Sequence, residues 1–166
     1  MRHDELLDAN CAISRAAAIL GERWVISILR AAFFRARTFE EYQRTTGVAR
    51  NILTDRLNRL VTAGVLERRV YEQHANRALH EYRLTEAGLD LYPVIATLMT
   101  WGNKHGGFVH GPPIELVHQT CGQVTEPVLT CSGCGEPLDP RQVRPRPGPG
   151  AATASPRMTA PPETPA

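Results

Sequence analysis

The chain has 166 residues, room for one ordinary globular domain with some excess and too little for two of full size. With 42% hydrophobic and 22% charged residues it can bury a core, which excludes a wholly disordered chain. The formal net charge is only +2. No apolar stretch approaches the roughly 18 consecutive residues of a membrane span, and the amino end lacks a basic flank followed by an apolar run, so a cytoplasmic protein with no membrane partner is expected.

The small net charge hides an uneven distribution. From Arg30 to Arg83 eleven arginines face six carboxylates, and the 19 basic residues include a single lysine, Lys104. Nearly every positive group is therefore a planar, multidentate guanidinium suited to phosphates and guanine edges. Genome composition alone produces such a bias too, so placement rather than number has to identify a partner. The last 27 residues hold eight of the thirteen prolines and almost no large apolar side chains, which predicts a disordered Pro-rich tail. Gly106-Gly107 and Gly111-Pro112-Pro113 break the chain ahead of it. These signals predict an N-terminal arm at 1–10, a main domain at 11–110, an appendage at 111–139 and the tail at 140–166.

Along the main domain, Ala12 to Leu20 is alanine-rich, apolar on one face and followed by Gly21, which predicts a helix with a glycine stop. Trp24 to Arg35 sets Trp24, Val25, Ile28, Leu29 and Ala32 at spacings of three and four, the pattern of a central core helix. Thr38-Phe39-Glu40-Glu41 has the form of a capping box and opens a third helix ending at Gly47. Arg50 to Ala63 reads as a fourth, closed by Gly64. At about 100° per residue, Leu53, Leu57, Leu60 and Val61 form one stripe of it, with Asn51, Asp55, Asn58 and Arg59 opposite. Val65 to Glu72 and His80 to Leu84 predict a hairpin with a long tip over Gln73 to Ala78. Thr85-Glu86 then caps a last long helix running through Tyr92, Leu98, Met99 and Trp101, kinked at Pro93.

Helices followed by a two-stranded hairpin predict a mainly α fold with a small β-hairpin, a winged helix-turn-helix. A helix about 10–12 Å wide enters the DNA major groove, where amide and guanidinium groups pair with base edges, while the hairpin reaches the neighbouring backbone or minor groove. The expected base-facing set is Arg50, Asn51, Thr54, Asp55, Asn58 and Arg59, with Asp55 either accepting from cytosine or orienting an arginine. Arg68, Arg69 and Arg77 on the hairpin are expected to neutralise phosphates. On a lone helix a solvated polar face looks the same; the basic hairpin that follows favours DNA.

The run Cys11, Gly21-Glu22-Arg23-Trp24, Leu53-Thr54-Asp55-Arg56-Leu57, Ala63-Gly64-Val65, Glu81-Tyr82-Arg83-Leu84-Thr85-Glu86-Ala87-Gly88 and Trp101-Gly102 resembles the HxlR-type transcriptional regulators of bacteria. The match extends over roughly Cys11 to His110, and it is specific through order and spacing rather than through any one piece. It implies a homodimeric winged helix DNA-binding protein whose first and last helices build the dimer interface. Three departures stand out. Ala12 follows the early cysteine where the family usually has proline, Ala49 stands where a serine commonly caps the recognition helix, and the wing tip lacks the usual prolines.

Dimerisation has independent grounds. One short helix reads only a few base pairs, and genomic specificity normally takes two copies on half-sites about one helical turn apart. Ile13, Ala17 and Leu20, with Leu91, Ile95, Leu98 and Trp101, supply either a shared face or cover for one protomer's core. The expected function is sequence-specific transcriptional regulation, as a repressor on an inverted-repeat operator of double-stranded DNA. A metal-stabilised protein-interaction module is the rival. The sequence carries no Gly-rich phosphate loop and no Gly-x-Ser-x-Gly elbow, so no enzymatic activity is expected. Neither the operator nor a small-molecule or oxidant inducer is legible.

In the appendage, His118-x2-Cys121 and Cys131-x2-Cys134 are two chelating pairs separated by nine residues, the requirement of a tetrahedral, structural Zn2+ in a zinc-ribbon-like segment. Four protein ligands leave no open position for catalysis. A redox-active Cys131-Cys134 pair or an inert ribbon are the alternatives. Cys11 is left over: it serves as a small hydrophobe, or it matches the early cysteine that senses oxidants or electrophiles in parts of the HxlR-type family, with Arg15 one turn later lowering its pKa.

Overall fold

The computed structural model describes residues 6, 7, 9–74 and 77–153, and the side chains of these except 73, 74, 77, 152 and 153. Most of the predicted amino-terminal arm and the tail beyond 153 lie outside the described residues. The chain divides into two compact units, Ile19–Pro127 on one hand and Met1–Ala18 with Val128–Ala166 on the other. The boundary after Pro127 falls between the two Cys-containing pairs of the predicted appendage.

Helix α1 is Ala12–Leu20 and ends at Gly21, as its composition predicts. Helix α2, Val25–Phe33, is shorter than the apolar spacing suggests, because Trp24 at φ 80° and Arg35 at φ 71° leave the right-handed region and stop the hydrogen-bond ladder at both ends. Helix α3, Phe39–Thr46, begins in the expected capping box: Glu41 N–H donates to Thr38 Oγ1 at 3.3 Å, and Glu41 Oε2 accepts from Thr38 N–H at 3.0 Å. Helix α4 is Arg50–Thr62. Its end is a Schellman turn: Val65 N–H bonds the Leu60 carbonyl at 2.9 Å and Gly64, at φ 71°, bonds that of Val61 at 3.0 Å.

Strands β1, Leu66–His74, and β2, Arg77–Leu84, form an antiparallel hairpin in which Leu66 faces Leu84 and His74 faces Arg77. Pairing thus continues into the polar segment expected to be a long tip. Backbone hydrogen bonding does not require apolar side chains, so the strands run further than the β-branched pattern does. Tyr71 is the extra residue of a bulge between Val70 and Glu72. Thr38 bridges to Glu81, and Tyr82 N–H donates to the Arg37 carbonyl at 2.7 Å, so the start of α3 is tied to the hairpin.

The expected long last helix is two. Helix α5, Glu86–Leu89, is capped by Thr85 Oγ1, which accepts from Gly88 N–H at 3.1 Å. Helix α6, Tyr92–His105, carries Pro93 in its first turn. Pro93 therefore starts a helix rather than kinking one, since the missing N–H falls where no intrahelical partner exists.

The core of the larger unit joins Val25, Ile28 and Leu29 of α2, Tyr42 of α3, Leu53, Leu57 and Leu60 of α4, and Leu66, Tyr82 and Ile95 around them. A fully buried leucine contributes roughly 1.5–3 kcal/mol, so the three leucines of α4 hold that helix in place far more firmly than its propensity does. After α6, Leu116–Val117 (β3) pairs antiparallel with Val124–Thr125 (β4). Beyond it Thr130 forms an isolated antiparallel bridge with Pro137. A single 3-10 turn covers Pro149–Thr153 in the predicted tail.

Candidate nucleic-acid interface

Helix α4 follows α3 across the three residues Gly47, Val48 and Ala49. Gly47 takes φ 68° and bonds the Gln43 carbonyl at 2.8 Å, turning the chain sharply, and the buried side chain of Val48 fixes the angle of exit. Ala49 occupies the N-cap with no side-chain hydrogen bond, leaving an amide of the first turn uncapped. With Leu53, Leu57 and Leu60 buried, the opposite side of the helix is open, and Arg50, Asn51, Thr54, Asp55, Asn58 and Arg59 are all exposed along it. Every candidate base-facing residue lies on this side, and Ile52 at 36% exposure lies at its margin.

The charged members of this face are already oriented. Asp55 Oδ2 holds Arg59 Nε at 3.0 Å, one helical turn on, and Asp55 also meets Arg56. Arg56, less exposed than its neighbours, reaches Glu22 Oε2 at 2.8 Å and donates to the Arg23 carbonyl at 3.3 Å, which ties α4 to the turn between α1 and α2. Arg50 lies over the Phe39 ring at 4.6 Å and donates to Gln43 Oε1 at 3.0 Å. Thr54 donates its hydroxyl to the Arg50 carbonyl at 2.8 Å. Asn51 and Asn58 make no side-chain hydrogen bond among the described residues, so their amides are available to a ligand at no cost in broken contacts.

On the hairpin Arg68 and Arg69 are exposed. Arg68 Nη2 lies 3.1 Å from His80 Nδ1, and Arg69 pairs with Glu67 at 2.5 Å, a contact worth little at this exposure. Arg77 opens β2, and its side chain lies outside the described residues. At the base of the wing the buried Glu81 receives Arg83 Nε at 2.6 Å and Arg37 at 4.0 Å, an ionic clamp where β2 passes α3.

Cys11 is half-buried. Its thiol pKa is lowered from the ordinary value of 9.0 by the Ser14 hydroxyl and by the Ser14 N–H at 3.5 Å from Sγ. Ser14 rather than the expected Arg15 provides this; Arg15 Nε instead donates to the Ala9 carbonyl at 2.7 Å. His118 Nδ1 and Cys121 Sγ are 3.3 Å apart. The Cys131 thiol pKa is lowered by the Gly133 and Cys134 amides and by the Cys134 side chain. Among the described residues no three His, Cys, Asp or Glu side chains gather at metal-binding distances.

Two features have no counterpart in the sequence pattern. One is the Arg56–Glu22 link; both residues sit in the motifs that carry the family resemblance, and that was the available signal. The other is an apolar cleft of about 220 Å3 lined by Ile26, Phe33, Tyr92, Leu98 and Met99, with Arg30 as its charged member. It arises where α6 packs on α2, a contact between residues some sixty positions apart that no local pattern encodes. Phe33 and Tyr92 meet edge to face there at 5.4 Å.

Comparison with known proteins adds a second line of observation. A family model described as HxlR-like helix-turn-helix matches residues 19–108. An HTH-type transcriptional regulator of Mycobacterium tuberculosis, Rv3095, is 46% identical over 138 residues, spanning 83% of this chain and 86% of the relative. Among solved structures, PA1607, a proposed transcription factor, superposes with a TM-score of 0.76 at 30% identity over 84% of this chain and 96% of its own. PA1374 of Pseudomonas aeruginosa, also a proposed transcription factor, gives 0.60 at 34% identity, covering 89% and 97%. The oxidized form of the redox regulator HypR gives 0.52 at 26% identity, covering 57% and 97%.

Proposed function

The chain belongs to the HxlR-like helix-turn-helix family, and from that premise we propose that it is a transcriptional regulator that binds an inverted-repeat operator as a homodimer and represses by occupying it. The observation that carries this reading is the exposed polar side of α4, backed by a buried leucine stripe and followed by an arginine-bearing wing. Asn51, Asn58 and Arg59 supply base-edge donors and acceptors, and Arg50, Arg68, Arg69 and Arg77 supply charge to the backbone. Both sets act at once only if α4 lies in the major groove with the wing beside it. Such a role places the protein with the cytoplasmic DNA. Among the described residues no helix is long and apolar enough to cross a membrane.

For the dimer, Leu98 and Trp101 on α6 are 45% and 63% exposed, and Ile13 on α1 is 80% exposed. Apolar side chains of this size facing water along a helix are a usual mark of an interface. Ile95 lies in the protomer's own core, and Leu20 and Leu91 pack against that core. Cys11 is the candidate redox sensor. Its lowered pKa predicts alkylation that is already fast below pH 9.0, the ordinary thiol value, and slow alkylation there would remove the role.

Selection from random duplexes with the purified protein tests the main reading. Enrichment of an inverted repeat with half-sites about one helical turn apart supports it. Binding without enrichment of any sequence would instead make the basic surface a docking site for acidic protein.

A further inference from the structure

Glu22 stands outside α4, in the turn between α1 and α2, and its carboxylate reaches two arginines of α4. Glu22 Oε2 accepts from Arg56 Nη2 at 2.8 Å, and Oε1 from Arg59 Nη1 at 3.5 Å. Asp55 Oδ2 accepts from the same two side chains, from Arg59 Nε at 3.0 Å and from Arg56 Nη1. Two carboxylates and two guanidiniums thus form a closed ring whose charges cancel. All four residues lie in the unit Ile19–Pro127. The backbone under Glu22 is set as well. Its carbonyl accepts from Val25 N–H at 3.1 Å, and Trp24 takes φ 80°, a conformation that residues other than glycine seldom adopt, with the Arg23 guanidinium 4.8 Å from its ring centre. Such conformations persist where the surrounding structure over-determines them, and they gather at functional sites.

The two arginines differ in what they have left to give. Arg56 engages all three of its nitrogens inside the protein, Nη1 with Asp55, Nη2 with Glu22 and Nε with the Arg23 carbonyl at 3.3 Å, and it is the less exposed of the pair. It is a pin. Arg59, half-exposed on the open side of α4, engages Nε and Nη1, and its Nη2 has no partner among the described residues. An arginine that swings freely loses side-chain entropy when it docks, whereas one held at two nitrogens has lost much of it beforehand. Its charge is also balanced by the neighbouring carboxylates. What Arg59 offers DNA is therefore a fixed donor geometry more than attraction for phosphate, and a guanine edge, with O6 and N7 accepting, is the matching partner.

We propose that Glu22 is a positioning residue for base reading: from the turn ahead of α2 it fixes, together with Asp55, the guanidinium of Arg59 against a guanine in each half-site. This assignment rests on the operator reading above, and it adds to that reading a residue outside the recognition helix.

Equilibrium binding of the full-length wild type, Glu22→Ala, Arg59→Ala and the double variant to the selected duplex and its single-base variants tests it. Arg59→Ala is expected to lose about tenfold of discrimination at one base pair per half-site. Glu22→Ala is expected to lose about threefold at the same base pair, the order that an ion pair at this exposure carries. It should bind unrelated duplexes at least as tightly as the wild type, because a carboxylate has left the surface that faces DNA. In the Arg59→Ala background, removing Glu22 should change base preference no further. A merely structural Glu22, acting through Arg56, would instead lower the melting temperature and weaken all duplexes alike with preference intact, which overturns the proposal. Preference lost on removing Glu22 even in the absence of Arg59 overturns it too. Glu22→Gln, nearly isosteric, takes the place of Glu22→Ala should that variant fail to fold. A wild type that discriminates no bases sinks the operator reading itself, whereas discrimination that falls in Arg59→Ala and holds in Glu22→Ala leaves that reading standing and removes Glu22 alone from it.

Discussion

Glu41 shows how much one side chain does at the start of a helix. Its carboxylate accepts from the Thr38 and Arg37 amides at 3.0 and 2.8 Å, and these two bonds, Thr38 first, hold its pKa below the ordinary 4.5. A carboxyl depressed on folding adds stability above its unfolded pKa and loses it as pH falls through the folded one. The stability gap between wild type and Glu41→Ala, measured by urea unfolding, is therefore widest above about pH 4.5 and closes on acidification. A gap independent of pH contradicts the cap. Tyr42 is the opposite case. Its buried hydroxyl has no hydrogen-bond partner among the described residues, and burial pushes its pKa up, while its ring meets Tyr82 edge to face at 6.2 Å. Tyr42→Phe keeps the ring and removes an unpaired group, so thermal unfolding is expected at the same temperature or higher. A loss of about 1 kcal/mol or more would mean that the hydroxyl is bonded after all.

At the scale of elements, α4 is the informative case. Ala49 gives it no side-chain cap, and Ala49→Ser is expected to raise stability by about 1 kcal/mol in chemical denaturation; no gain would mean that the first-turn amides are satisfied otherwise. The existence of α4, its leucine stripe and its polar side were all legible from the 3.6-residue period, because one face of that helix is almost wholly buried. What the period does not encode is backbone conformation at single residues and contacts between distant ones. Trp24 and Arg35 adopt positive φ with nothing local to announce it, which trimmed α2 at both ends. Pro93 is legible as a break but not as a helix start, since that depends on α5 ending at Leu89, ahead of it. The Arg56–Glu22 pair and the cleft over α6 needed the packed structure.

At the scale of the whole molecule, the proposed reading of an inverted repeat takes two copies of the chain. Trp101, 63% exposed on α6, is the anchor of the proposed dimer, and large aromatic anchors commonly contribute about 2 kcal/mol or more. Sedimentation equilibrium is expected to give a dimer for the wild type, and Trp101→Glu is expected to shift it toward monomers by about thirtyfold or more in dissociation constant. A monomeric wild type contradicts the dimer, and an unchanged dimer in the variant contradicts this face. The most direct measurement for the central claim is equilibrium binding to the selected duplex and to single-base variants of it, across salt, for wild type, Asn58→Ala and Arg68→Ala. Asn58→Ala is expected to lose roughly 1–3 kcal/mol of discrimination at one position per half-site while keeping its salt slope. Arg68→Ala should weaken every duplex alike and flatten the slope by about 0.9 for each phosphate that Arg68 neutralises. Unchanged base preference in Asn58→Ala together with unchanged salt dependence in Arg68→Ala would contradict it, and α4 and its wing would not be what meets DNA.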